Sequence, residues 1–100
     1  CDKLTEDLKV YFQNQVVECG ETAKQSARDY SNLRTQVSEL EIMVKTRKKP
    51  VGVYLTQPEL EKAREDLSRC RKQTADALSS YKQNTANVKK FQRLLEELNR

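Results

Sequence analysis

Cys70 has the strongest claim to reactivity in this chain, because Arg69 and Arg71 flank it. Two guanidinium groups beside a thiol favour the thiolate, the form that attacks disulfides and oxidants. That chemistry needs exposure, however. Cys70 falls on an apolar helical stripe, where a cysteine behaves as a small buried hydrophobe. Cys19, followed by Gly20, is placed the same way, and Cys1 opens the chain. Three cysteines, an odd number with no metal-type spacing, point to neither a disulfide framework nor a metal site. There is no histidine, the commonest general base and metal ligand. Glu59-x-Glu61 and Glu96-Glu97 are acids close in sequence, but acids on helices are ordinarily solvated. No C-x-x-C and no glycine-rich phosphate loop occurs. The expectation is a protein that is not an enzyme, with no catalytic residue, no metal and no cofactor.

Contact chemistry is better represented. Lys45, Arg47, Lys48 and Lys49 form a basic run, and around it stand Ile42, Met43, Val51, Val53, Tyr54 and Leu55. A connecting segment rarely spends that many apolar residues unless something covers them. Val53 and Leu55 could fold over the helix ends and seal them. Alternatively the set forms an apolar patch with a basic rim that binds a protein partner. A third reading lets Val51 to Leu55 add a strand to another sheet edge. A second group of cations, Arg69, Lys72, Lys82, Lys89, Lys90 and Arg93, points away from the apolar stripe, with Asp76 the main acid among them. It reads as a solvated face or as a docking surface for an acidic protein or an anionic membrane surface. Aromatics for base stacking are missing from that face, which disfavours nucleic acid.

These groups must sit on long helices. Two glycines, two prolines and 34% charged residues are a composition of helices rather than of a mixed globular fold. Leu60, Ala63, Leu67, Cys70, Thr74, Ala77, Tyr81, Asn84, Val88, Phe91, Leu95 and Leu98 alternate steps of three and four without a slip. That spacing is the seam of a coiled coil. An earlier run, Leu4, Leu8, Phe12, Val16, Cys19, Ala23, Tyr30, Leu33, Val37, Leu40 and Val44, keeps helical spacing, with Ser26 filling one seam slot. Between the runs, Pro50 cannot continue a helix and Gly52 permits a turn. Thr56 can cap the next helix, with Pro58 and Glu59 in its first turn. The boundaries expected are helix 3–46, an apolar and basic linker 47–57, and helix 58–99.

Equal helices and a short linker favour folding back. If paired positions sum to 107, Tyr30 faces Ala77, Tyr81 faces Ser26, Leu40 faces Leu67, Val16 faces Phe91 and Phe12 faces Leu95, which sets large against small in most layers. Charge agrees: residues 1–44 carry five basic and eight acidic residues, net −3, and residues 59–100 carry ten and seven, net +3. The fold expected is all-α, two long helices in an antiparallel coiled-coil hairpin. The alternative is a parallel coiled-coil dimer, in which Cys19 and Cys70 would each face their own copy and Asn84 would fix register. Val10, Tyr11, Val17, Leu78 and Leu94 lie off the seam and widen the apolar face. A two-helix pair does not need them, so hairpins are expected to dimerise into a four-helix arrangement.

Function is then expected to be protein–protein interaction and oligomerisation, as in a scaffold or adaptor, with a homodimer and another helical or acidic protein as partners. The alternative is a peripheral module that binds acidic surfaces through the basic tip and stripe. The chain opens on Cys1 rather than methionine, so residues 1–100 are expected to be one coiled-coil segment of a larger protein. The cysteine usage favours an intracellular, cytoplasmic setting. No apolar run approaches the roughly 20 residues of a membrane span.

Overall fold

A computed structural model describes residues 2–100, and Cys1 lies outside the described residues. Two helices, α1 (Asp2–Thr46) and α2 (Gln57–Leu98), pack against each other as a hairpin. All four helix ends fall within one residue of the sequence expectation. The parallel pairing of like helices is therefore not the arrangement this chain adopts. Among the described residues no helix is long and apolar enough to cross a membrane. Asp2 in the first turn of α1 and Lys45 in its last complement the helix dipole.

The hairpin packs as two units, each with its own core. The tip unit comprises Arg28–Ala77 and the terminal unit Cys1–Ala27 with Leu78–Arg100. In the tip unit the core is the strict heptad of α2: Leu60, Ala63, Leu67 and Cys70 are all buried. Tyr30, Leu33, Val37, Leu40 and Met43 of α1 are half-buried around it. Two polar contacts join the helices here. Cys70 Sγ lies 3.7 Å from Gln36 Oε1, and Arg71 pairs with Glu41 at 3.2 Å. Cys70 is thus enclosed and engaged, as the seam position implied, while its neighbour Arg71 is occupied across the pair.

The terminal unit is built differently. Its buried α1 residues are the small Ala23 and Ser26, and small side chains let helix axes approach closely. Val16 and Cys19 of α1 and Val88, Phe91, Leu95 and Leu98 of α2 are half-buried, as the seam placed them. Two details correct the uniform register. Ser26 meets Ser80, Oγ to Oγ at 2.9 Å, and Tyr81 stands 40% exposed. A buried hydroxyl needs a partner, which Ser80 supplies, while the long amphipathic ring of Tyr81 reaches solvent. Nearer the chain ends, the Phe12 ring lies 5.8 Å from that of Phe91 between centroids, and Tyr11 meets the same ring edge-on at 6.4 Å. Aromatic pairing at these spacings adds to area burial. Leu78, Ser80, Asn87 and Leu94 are half-buried as well, so α2 buries a wider stripe here than a strict seam.

Candidate interaction surfaces

The linker between the helices is a small β-hairpin. Arg47 ends α1 in the left-handed region at φ 59, and its N–H donates to the Met43 carbonyl at 2.8 Å. That is the single-bond left-handed helix stop, here with an arginine where glycine is usual. Lys49-Pro50-Val51-Gly52 then turns the chain, with the Gly52 N–H donating to Lys49 O at 2.8 Å. Proline second and glycine fourth suit a type I turn, and Gly52 at φ 90 supplies the left-handed bulge residue that closes a three-residue hairpin loop. Lys49 N–H to Val53 O at 2.7 Å and Leu55 N–H to Arg47 O at 2.8 Å zip the two arms, leaving Lys48 opposite Tyr54 in a bridge. This is a non-hydrogen-bonded pair, whose side chains lie close, and Lys48 Nζ accordingly sits 4.9 Å from the Tyr54 ring centroid.

Thr56 and Glu59 start α2 as a reciprocal capping box. The Thr56 N–H donates to Glu59 Oε1 at 3.0 Å, and the Glu59 N–H donates to Thr56 Oγ1 at 3.3 Å. Lys49 Nζ adds an ion pair to Glu59 Oε2 at 2.7 Å. The Lys49 ammonium, then the Thr56 cap, pull the Glu59 carboxyl down to about 2. Leu55 and Leu60 occupy the flanking positions of a hydrophobic staple, and Leu55 is half-buried where Leu60 is fully so. Of the two residues that might have sealed the helix ends, Leu55 turns in and Val53 stays out.

The apolar part of the tip is open to solvent. Val51 is 82% exposed, Tyr54 68%, Ile42 62% and Val53 57%. Met43 is half-buried beneath them. Lys45, Arg47 and Lys48 are exposed, and among the described residues none has a carboxylate partner; Lys49, half-buried, has Glu59. A groove of about 470 Å³ runs beside the β-hairpin over Leu40, Met43, Leu55 and Ala63, with Pro50 and Val51 on one wall. A smaller groove of about 290 Å³ includes Ile42, Thr46 and Lys48. The sequence did not mark a third, polar groove of about 320 Å³ formed by Tyr30, Ser31, Arg34, Thr35 and Ser38 on α1. The seven-residue spacing of Ser31 and Ser38, with Thr35 between them, was the available sign.

The six cations of the basic stripe on α2 are exposed: Arg69 and Lys72 in the tip unit, and Lys82, Lys89, Lys90 and Arg93 in the terminal unit. Arg69 is already paired with Asp66 at 2.8 Å, and Lys90 lies 5.6 Å over the Phe91 ring. In the terminal unit α1 presents Leu4, Val10, Tyr11 and Val17, each more than half exposed. Among the described residues no three His, Cys, Asp or Glu side chains gather as a metal site. No family model, no curated protein and no solved structure matches the chain.

Proposed function

We propose that this chain is a non-catalytic interaction module of the scaffold or adaptor kind, a helical hairpin that associates with a second copy. The observation that carries the reading is how thin its own core is. Among the described residues no large side chain is fully enclosed, and five of the exposed large apolar residues fall within the first 17 positions. A pair of helices this slender is marginal alone, and a second hairpin against α1 would complete a four-helix core.

Charge favours a like copy as the occupant. Residues 2–27 carry three lysines and five acids, and residues 78–100 carry five basic residues and two acids. The α1 face of one copy is thus complementary to the α2 face of another. Covering a half-exposed side chain of this size contributes about 1 kcal/mol, so four per copy give about 8 kcal/mol in a symmetric pair. That is of the order of the association cost, about 4–15 kcal/mol. Association is therefore weak and dependent on concentration. The odd cysteine count and the burial of Cys70 support a reducing, intracellular setting such as the cytoplasm.

Sedimentation equilibrium of the chain and of a Val10→Asp, Val17→Asp variant tests this. The parent's mass should climb with concentration toward twice 11.6 kDa. The variant, changed only at exposed positions, should remain a monomer with the parent's helical circular dichroism. A variant that associates as the parent does would remove the α1 face from the account.

A further inference from the structure

The tip carries an inference independent of self-association. From Ile42 to Gln57 the chain holds four cations and no acid. Lys49 is committed to Glu59, which neutralises the nearest carboxylate, and Lys45, Arg47 and Lys48 are left without an acidic partner among the described residues. Among them project the four exposed apolar residues, the most exposed being Val51 in the turn itself. We propose that this tip is a membrane-surface anchor, whose apolar apex enters the interface of an anionic bilayer while Lys45, Arg47 and Lys48 meet the lipid headgroups.

Three features favour a bilayer over a protein as the occupant. First, the most exposed apolar side chain, Val51 at 82%, is displayed in the turn itself rather than seated, whereas side-chain recognition between proteins centres on enclosed anchors. Second, the turn satisfies much of its own backbone. The N–H groups of Lys49, Gly52 and Leu55 are bonded within it, those of Arg47 and Lys48 are bonded to Met43 and Thr46 at the end of α1, and Pro50 has none. A segment entering an apolar boundary must hide such groups. Third, Tyr54 under the Lys48 ammonium presents an amphipathic ring with a cation beside it, the pairing suited to headgroup depth, where aromatic rings and snorkelling lysines collect.

The test uses the whole chain with vesicles of phosphatidylserine and phosphatidylcholine, and with phosphatidylcholine alone. Binding should require phosphatidylserine and weaken as salt rises from about 0.1 to about 1 M, where the screening length falls from about 10 to about 3 Å. Lys45→Gln with Lys48→Gln should weaken partition about 25-fold, about fivefold per cation. Val51→Asp should weaken it about tenfold or more. Arg64→Gln with Lys72→Gln, the same charge change at exposed positions of α2 outside the turn, should leave it as in the parent. A Val51→Trp variant should show a blue-shifted emission on the anionic vesicles and none on the neutral ones. All variants change exposed positions, and retained helical circular dichroism separates lost binding from lost fold. No binding to the anionic vesicles would overturn the proposal. So would binding that ignores Val51→Asp and leaves the tryptophan in water, or binding that follows Arg64 and Lys72 instead of the tip.

Discussion

Ser26 Oγ and Ser80 Oγ lie 2.9 Å apart across the two helices of the terminal unit, with Ser26 only 7% exposed. Asn84 Nδ2 extends the layer, donating to the Ser80 carbonyl at 2.8 Å and reaching its hydroxyl at 3.3 Å. A buried polar layer stabilises little over an apolar one, yet it disfavours any slip that would strand its members. Ser26→Ala and Ser80→Ala should each cost about 1 kcal/mol in urea unfolding. The double variant should cost less than their sum, with a coupling of about 0.5–1.5 kcal/mol. Strict additivity would mean that the two hydroxyls are solvated independently.

Gly20 lies inside the continuous helix α1 without a visible reason for being glycine. A Cβ built on it meets nothing within 4 Å, and its φ is that of an ordinary helix. Gly20→Ala should therefore stabilise the hairpin by about 0.5–1 kcal/mol, the difference in helix preference alone. A loss of stability in thermal or urea unfolding would show that the position is crowded by something the hairpin alone does not contain, as a closely packed second copy would be.

The capping box makes stability depend on pH in a defined direction. The Glu59 carboxyl is depressed from 4.5 to about 2, first by Lys49 and then by Thr56. A group depressed on folding contributes stability that is full above its unfolded value and is lost as pH falls through the folded one. The loss should thus run from about 4.5 down to about 2. Glu59→Gln keeps a cap acceptor but no charge. The difference in Tm between parent and variant should favour the parent at neutral pH and shrink through that window. Lys49→Met should reduce the difference. A parent-minus-variant difference that stays constant from neutral pH into the acid range would contradict the assignment.

Arg47 occupies a backbone region that L side chains avoid, at φ 59. The conformation costs about 1–2 kcal/mol for a residue with a Cβ, and more for a β-branched one. Arg47→Gly relieves it and adds some unfolded-state entropy, whereas Arg47→Val deepens it. The glycine variant should exceed the valine variant by about 1–2 kcal/mol in urea unfolding. Equal stabilities would place the helix stop elsewhere.

The helices and their ends were legible because their signals are local. A heptad unbroken from Leu60 to Leu98 fixes a helix and its buried stripe, and Pro50, Gly52 and Thr56 punctuate the chain within a few residues. Lys49-Pro50-Val51-Gly52 reads almost directly as the turn it forms. What the spacing could not carry was the choice between neighbours on one face. Tyr81 and Ser80 are both compatible with facing α1, and only the need of the buried Ser26 hydroxyl decides between them. The Phe12–Phe91 contact was missed for a similar reason, since a uniform register ranks layers by size and ignores ring-on-ring geometry. At the tip, composition placed apolar and basic residues together, but whether Val53 or Leu55 turned inward depended on the β-hairpin's pairing.

Whether a second copy completes this thin-cored hairpin is read from its Tm as a function of chain concentration. Where association is coupled to folding, mass action raises Tm with concentration. The parent's Tm should rise steadily, and that of the Val10→Asp, Val17→Asp variant should be flat and lower. A parent Tm that does not move over a broad range of concentration would show that the hairpin stands alone and would contradict completion by a second copy.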